Sequence, residues 1–369
     1  MRTLTIDLDA IVHNYKTMVA RTEAAVLPVI KANAYGHGMI EVAKELEAAG
    51  CGGFAVADVA EGLVLREAGV TAAVLAWLHD PEDDFVAAVA NDIDLGIANV
   101  EQLRKAIAAA ETSGETAHLH LKIDTGLGRN GATASEWAGL LAETRAAVET
   151  GKVAVIGIFS HLSSTGEAED LLQVERFKLA LELAKDAGVD YEFAHLTASD
   201  GSLAYPSAHF TMIRVGIALY GLDPFSSHRA AEYGLRPAMT ASAKVVQTKR
   251  VPAGTGVSYG YLHTTTEETT LALVPVGYAE GLPRNATGKA QVSLNGKLYP
   301  ILGRIAMDQF VLDVGNDNVQ VGDDVYLFGD PAKGHPSVDD LADAADTINY
   351  EIVTRMGGRF KRVYLGAKA

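Results

Sequence analysis

Cysteine occurs once in the 369 residues, at Cys51, so the chain can form no internal disulfide and no cysteine-ligated zinc or iron–sulfur centre. Long hydrophobic runs are missing too. No window approaches the roughly 18 apolar residues of a membrane-spanning helix. Positive charge is scarce: 31 Lys and Arg face 47 Asp and Glu, a net charge of −16, which repels nucleic acid and anionic lipid over most of the surface. Any anionic ligand must therefore be held by a local cluster. Disorder is excluded as well, because 48% of the residues are hydrophobic and only 21% are charged. The opening MRTLTIDLDA carries Asp7 and Asp9 where a secretory leader needs an apolar core, which points to the cytoplasm. No repeat, coiled coil or basic patch suggests a structural or scaffolding role.

The length exceeds one core of about 100–200 residues and calls for two domains, or a barrel with an appendage. From about residue 25 to 220, short β-branched runs alternate with alanine-rich helical stretches, punctuated by Gly, Asp and Asn. Eight strands are expected at Val26–Ile30, Gly53–Ala57, Ala72–Ala76, Asp94–Ala98, His118–Ile123, Val153–Phe159, Tyr191–His195 and Phe210–Val215. Eight βα units in about 200 residues fit a (β/α)8 TIM barrel better than an open doubly wound sheet. Asp58 and Thr133–Ser135 stand where helix N-caps belong.

The pattern changes near Tyr233–Pro237. Period-two segments follow at Ala241–Val246, Thr270–Pro275, Gln291–Leu294, Lys297–Leu302, Phe310–Val314 and Asp324–Phe328, and Asn295-Gly296 is a hairpin turn signal. Val338–Ala345 and Tyr350–Met356 have helical spacing. The expected domains are a barrel over 9–232 and a mainly β domain over 233–369. The alternating residues 1–8 are expected to form a strand that pairs with the second domain.

Three constellations invite chemistry. In LPVIKANAYGHG, a strand ends at Lys31 before a turn at Gly36–Gly38. Strand ends of a βα barrel face the active site, and a lysine desolvated there can form a Schiff base. Gly126-Leu-Gly128-Arg-Asn-Gly131 satisfies G-x-G-x-x-G, but the next strand ends in Ser160 and His161 rather than an acid, so a nicotinamide site is not expected. His118 and His120 alternate on one strand without an evident third ligand, so no metal is expected.

KANAYGHG is the signature around the pyridoxal phosphate lysine of bacterial alanine racemases, and the chain resembles that family over essentially its whole length. LKIDTGLGRNG, FSHLSS, TASDGS, IRVGIALYG, VSYG, VPVGYAEGLPR, GRIAMDQ and INYE follow in the family's order. The resemblance implies a (β/α)8 barrel with a mainly β C-terminal domain, pyridoxal 5'-phosphate as cofactor, and a head-to-tail homodimer with shared active sites. It implies interconversion of L- and D-alanine, supplying D-alanine for peptidoglycan.

By that resemblance Lys31 carries the cofactor and handles the proton on the D face, while Tyr259, from the partner subunit, acts on the L face. Arg214 faces the pyridine nitrogen. Gly216, Ile217, Ser199, Tyr35 and Tyr350 hold the phosphate, and His161 lies by the ring. Arg129 binds the phenolic oxygen and positions the substrate carboxylate. Met307 and Asp308 reach in from the partner, Tyr278 narrows the entrance, and Lys122 matches a lysine that is often carbamylated. The chain departs from the commonest family pattern at Ala306 (for Cys), Ala198 (for Asn) and Glu280 (for Asp).

A broad-specificity racemase, a decarboxylase and a non-catalytic cofactor carrier are the other readings of this architecture. The decarboxylase family pairs the pyridine nitrogen with an acid and uses a cysteine motif. This chain offers Arg214 and a lone Cys51. A barrel-only carrier has no use for Tyr259, Met307 or Asp308.

Overall fold

The computed structural model describes residues 1–366. The chain forms two compact units, one made of Tyr15–Ala34 with Gly38–Leu219, the other of Met1–Asn14 with Tyr35–His37 and the chain from Tyr220 onward. It opens with β1 (Arg2–Asp7), which belongs to the second unit.

The first unit holds eight parallel strands: β2 (Ala25–Pro28), β3 (Gly53–Val56), β4 (Ala73–Ala76), β5 (Ile93–Ile97), β6 (Ala117–Lys122), β7 (Val153–Phe159), β8 (Phe193–His195) and β9 (Met212–Val215). They run in the order β2-β9-β8-β7-β6-β5-β4-β3, and a parallel bridge from Val29 to Ala55 joins the last strand to the first. All eight expected strands are present, most of them shortened by a residue or two where the ends face the connecting loops. Every residue of β3, β5 and β9 is buried. Such strands read as continuous apolar runs because helices cover one face and the barrel interior the other.

The helices start where the sequence places caps. The Asp58 carboxylate accepts from the Glu61 N–H at 2.9 Å to begin Val59–Glu67, and Asn99 does the same for Gln102 at 2.9 Å to begin Val100–Ser113. Helix Ala134–Glu149 starts on a Thr133–Glu136 capping box and buries Trp137, whose indole N–H donates to the Ala180 carbonyl at 3.1 Å.

The second unit is mainly β. Its strands are β10 (Met239–Lys244), β11 (Gln247–Val251), β12 (Gly256–Val257), β13 (His263–Thr264), β14 (Thr269–Val274), β15 (Gln291–Leu294), β16 (Lys297–Pro300), β17 (Phe310–Gly315), β18 (Asp324–Phe328) and β19 (Lys361–Leu365). One sheet runs β16-β15-β18-β10-β1-β19 and a second runs β11-β14-β17. β1 does pair within this unit, antiparallel to β10 and parallel to β19. Asn295 (φ 52°) and Gly296 (φ 76°) turn the β15–β16 hairpin with both residues left-handed. Helices occupy Val338–Ala344 and Asn349–Arg355. The two-residue strands β12 and β13 are additional to the expected set, and so are β11 and β19. Their QTKRV and KRVYL sequences are largely exposed and charged, so neither shows an apolar run.

Replacing Trp137 by Ala removes a fully buried indole and its hydrogen bond to the Ala180 carbonyl. The expected cost is about 3–5 kcal/mol, read from urea denaturation followed by circular dichroism. A loss below about 1 kcal/mol would mean that the surrounding helices collapse into the space.

Candidate active site

Lys31 lies just beyond the end of β2, and the chain then makes a left-handed turn. Ala32, Asn33, Ala34 and Tyr35 have φ between 51° and 54°. A non-glycine residue in this region costs roughly 1–2 kcal/mol, so four in succession need external support. The Ala34 N–H donates to the Ile30 carbonyl at 2.7 Å, Gly38 N–H to the Asn33 carbonyl at 2.9 Å, and Met39 N–H to Asn33 Oδ1 at 2.9 Å. Glu61 supplies the cross-link. Its two carboxylate oxygens accept from the backbone N–H of Ala32 at 2.6 Å and of Ala57 at 2.9 Å. The turn expected at Gly36–Gly38 thus begins earlier, on residues with no sequence signal for it, and helix Met39–Ala48 follows.

Within the barrel Lys31, Lys122, Arg129 and Arg214 form a cationic group. The Lys31 ammonium lies 5.9 Å from the centre of the Trp77 ring, and that of Lys122 lies 5.2 Å from the Phe159 ring. Burial and the charges of Arg129 and Arg214 push the Lys31 amine below its ordinary value, against the pull of Glu61. Lys122, at the end of β6, is pushed down to about 8 by burial and then by Arg214 and Arg129. Arg129 sits on the loop after β6, where Asp124 Oδ1 accepts from Gly126 N–H at 2.9 Å and Gly128 N–H at 3.1 Å. It has no hydrogen-bond or ion-pair partner among the described residues. The G-x-G-x-x-G string is this loop.

Arg214, in β9, is buried, and burial lowers its pKa to about 10, which leaves it a cation. No carboxylate pairs with it among the described residues. Its terminal nitrogens instead donate to the carbonyls of His195 (3.0 Å), Ser160 (2.8 Å) and Leu196 (2.9 Å), and to Nδ1 of His195 (3.0 Å) and of His161 (3.0 Å). Nε–H has no such partner among the described residues. Burial, then the Arg214 charge, holds both histidines well below their usual pKa, so they are neutral acceptors.

Ser199 begins a short helix in the β8–β9 connection. Its buried hydroxyl oxygen accepts from the backbone N–H groups of Gly216 (3.0 Å) and Ala218 (3.3 Å), which brackets Ile217. That leaves the hydroxyl proton for an outside acceptor.

The remaining expected residues lie in the other unit. Tyr35 packs against Tyr220 (ring centroids 4.9 Å) and Tyr350 (6.2 Å). Tyr259 lies in the loop between β12 and β13 after Ser258, whose φ is 59° and whose hydroxyl donates to the Arg304 carbonyl at 2.7 Å. Tyr259 is 71% exposed and Met307 53%, high values for an aromatic and a methionine. Ser258, Tyr259 and Ala306 share the wall of a cavity of about 330 Å³. Tyr278 is tied to the same loop, because its N–H donates to the Ala306 carbonyl at 3.2 Å and that of Ala279 to the Met307 carbonyl at 2.9 Å. A Cβ on Gly277 would come within 2.2 Å of the Ala306 oxygen, so only glycine permits this approach. Asp308 pairs with Arg359 at 2.6 Å. Glu280, fully buried, accepts from the Gly277 N–H at 2.9 Å and also pairs with Arg359.

Two family models match the chain: the alanine racemase N-terminal domain over residues 6–224 and the alanine racemase C-terminal domain over 238–364. The chain is 47% identical over 365 residues to an alanine racemase of Frankia casuarinae, covering 98% of this chain and 95% of the relative. The chain belongs to the alanine racemase family.

Among solved members of the family, the enzyme from D-cycloserine-producing Streptomyces lavendulae is 43% identical with a TM-score of 0.97, covering all of this chain and 97% of that one. The Bacillus anthracis enzyme, solved with bound L-Ala-P, is 32% identical with a TM-score of 0.90, covering 99% of this chain and 95% of that one. No helix among the described residues is long and apolar enough to cross a membrane.

Several residues around the racemase-family signature escape sequence reading. Glu61 carries the Asp-x-x-Glu spacing of a helix start, yet its carboxylate crosses to another βα unit. Asp92 and Asp94 stand beside His118, at 3.2 and 3.6 Å, so carboxylates do reach that histidine, from the neighbouring strand region. Trp77 and His195 lie outside every motif, and Phe159 opens FSHLSS without a role assigned to its ring.

The Lys122 value gives a test. An amine at about 8 in the folded chain against the ordinary 10.5 means that the unfolded chain binds more protons between those values, so this group's contribution to stability rises with pH across that window. In 15N-lysine NMR of the protein without added cofactor and with the Lys122 amine unmodified, its midpoint is expected near 8, moving up in Arg214→Gln. A midpoint near 10.5 in both proteins would contradict the burial and charge account.

Proposed function

We propose that this chain is a pyridoxal 5'-phosphate-dependent racemase that interconverts L- and D-alanine, working in the cytoplasm as a homodimer to supply D-alanine for peptidoglycan. The observation that carries the reading is the meeting of Lys31 with Arg129, Lys122 and Arg214 at the strand ends of a barrel in a chain whose overall charge is negative. Family membership, along nearly the whole chain, supports the reaction.

The donor set suits the cofactor. In this reading the phosphate donors are the Ser199 hydroxyl proton, the Ile217 N–H, the Gly216 N–H once it leaves the Ser199 oxygen it donates to here, and the Tyr35 and Tyr350 hydroxyls, and neutral donors suit a dianion. Arg214 offers Nε–H to the ring nitrogen, and His161 lies beside it. The cofactor, when bound, supplies the electron sink that makes the substrate α-proton removable.

The protein's own residues do the rest. Lys31 holds the cofactor and, with its amine lowered by burial, gives and takes a proton on one face of the substrate α-carbon. The Tyr259 hydroxyl of the second subunit does so on the other. Arg129 orients the substrate carboxylate, with the Met307 backbone and Asp308 of the second subunit nearby. Lys122, carbamylated through its readily neutralised amine, orients Arg129. Tyr278 narrows the entrance, which favours a methyl side chain. In this reading the barrel domain, expected over 9–232, binds the cofactor, and the exposed Tyr259 and Met307 face the partner.

Shared sites predict complementation. Loaded with cofactor, the protein racemises L-alanine, while Lys31→Ala and Tyr259→Phe each lose about 100-fold or more in turnover. Mixing the two variants under subunit exchange makes heterodimers with one intact site, restoring up to about a quarter of wild-type activity. No recovery, despite exchange shown by native mass spectrometry, would place both groups on one chain.

A further inference from the structure

A line of hydrogen bonds runs through the barrel interior from Arg214 to the opposite end of the strands. Arg214 donates to His195 Nδ1 at 3.0 Å, His195 Nε2 meets His120 Nδ1 at 2.9 Å, and His120 Nε2 meets Asp94 Oδ2 at 3.3 Å. All four residues are buried. Asp94 is the second residue of β5 and, with His120, lines a cavity of about 380 Å³ among residues that begin the barrel strands, including Ala25, Gly53 and Ala73.

The protons in this line have one arrangement. Arginine can only donate, so His195 Nδ1 accepts and its proton sits on Nε2. That N–H donates to His120 Nδ1, which puts the His120 proton on Nε2, where the Asp94 carboxylate accepts it. A fixed donor at one end and a fixed acceptor at the other leave neither histidine a second tautomer. The packing serves the same geometry. A Cβ on Gly157 would lie 2.4 Å from His120 Nδ1, so the strand omits a side chain where the ring sits. Phe159 stacks flat on His195, with centroids 4.9 Å apart and planes 2° apart.

We propose that Asp94 is a positioning residue for the racemase reaction: through His120 and His195 it keeps an acceptor opposite Arg214, and so holds the guanidinium with Nε–H free for the cofactor. The proposal rests on the functional reading above. Without the carboxylate, the histidines gain a second tautomer that presents an N–H to the Arg214 N–H, and the guanidinium must shift. The substitution Asp94→Asn keeps an acceptor oxygen at the end of the line, whereas an apolar replacement does not.

The test compares Asp94→Asn with Asp94→Ala in the cofactor-loaded enzyme, using turnover, KM for L-alanine and ring-15N histidine NMR. Asp94→Ala is expected to lose about tenfold in kcat, the weight of one hydrogen bond to a charged group, with KM within about twofold and a His195 signal changed from Nε2–H to mixed tautomers. Asp94→Asn is expected to keep the wild-type tautomer and most of the turnover. Asp94→Leu serves if the alanine variant does not fold. Wild-type tautomers and kcat in Asp94→Ala, or an equal loss in Asp94→Asn, would overturn the proposal. A wild-type protein with no racemase activity would instead remove the functional reading, while the 15N pattern would still report on the line of bonds.

Discussion

Burying a guanidinium in the barrel with no carboxylate paired to it among the described residues is the constraint from which the site's other properties follow. Isolated buried charge is expensive unless its hydrogen bonds are met. Arg214 meets them with three carbonyls and two imidazoles. Burial first, and then this charge, lowers the pKa of His161 and His195, which become acceptors, and the charge also helps burial to lower those of Lys31 and Lys122. A carboxylate at this point would quench that field and raise the amines again. The same cation leaves one N–H unassigned, which turns a structural feature into a directed donor.

The net charge of −16 gives this arrangement its selectivity. Against that background Lys31, Lys122, Arg129 and Arg214 make a local cationic cluster. Glu61 is an acid whose charge acts on Lys31. It is also held to the backbone, tying down the left-handed turn that follows the lysine. One side chain therefore contributes both to the backbone of the turn and to the charge around the lysine.

Much of this was legible in the sequence. The eight barrel strands, the β1 pairing, the Asn295-Gly296 hairpin and the caps at Asp58 and Thr133 follow from apolar runs, turn residues and cap chemistry. The left-handed turn was not, because Ala32, Asn33 and Ala34 are ordinary in composition and the conformation is imposed by contacts from Glu61, 29 residues away from Ala32. The His120–His195 contact spans 75 residues, and period-two alternation says which face a side chain takes but not which strand lies beside it. For the same reason the carboxylates beside His118 were invisible, since they arrive from the neighbouring β5 region. Glu280 reads as a departure from the family pattern. In the fold its carboxylate is committed to Gly277 and Arg359.

We propose that Arg214 remains a cationic donor and, with pyridoxal 5'-phosphate bound as proposed above, keeps its ring nitrogen unprotonated. The most direct measurement is 15N NMR of the pyridine nitrogen in the protein loaded with 15N-labelled pyridoxal 5'-phosphate, compared with Arg214→Glu. The account predicts an unprotonated nitrogen in the wild type, changing to a protonated one in the glutamate variant. A protonated nitrogen in the wild type would contradict it.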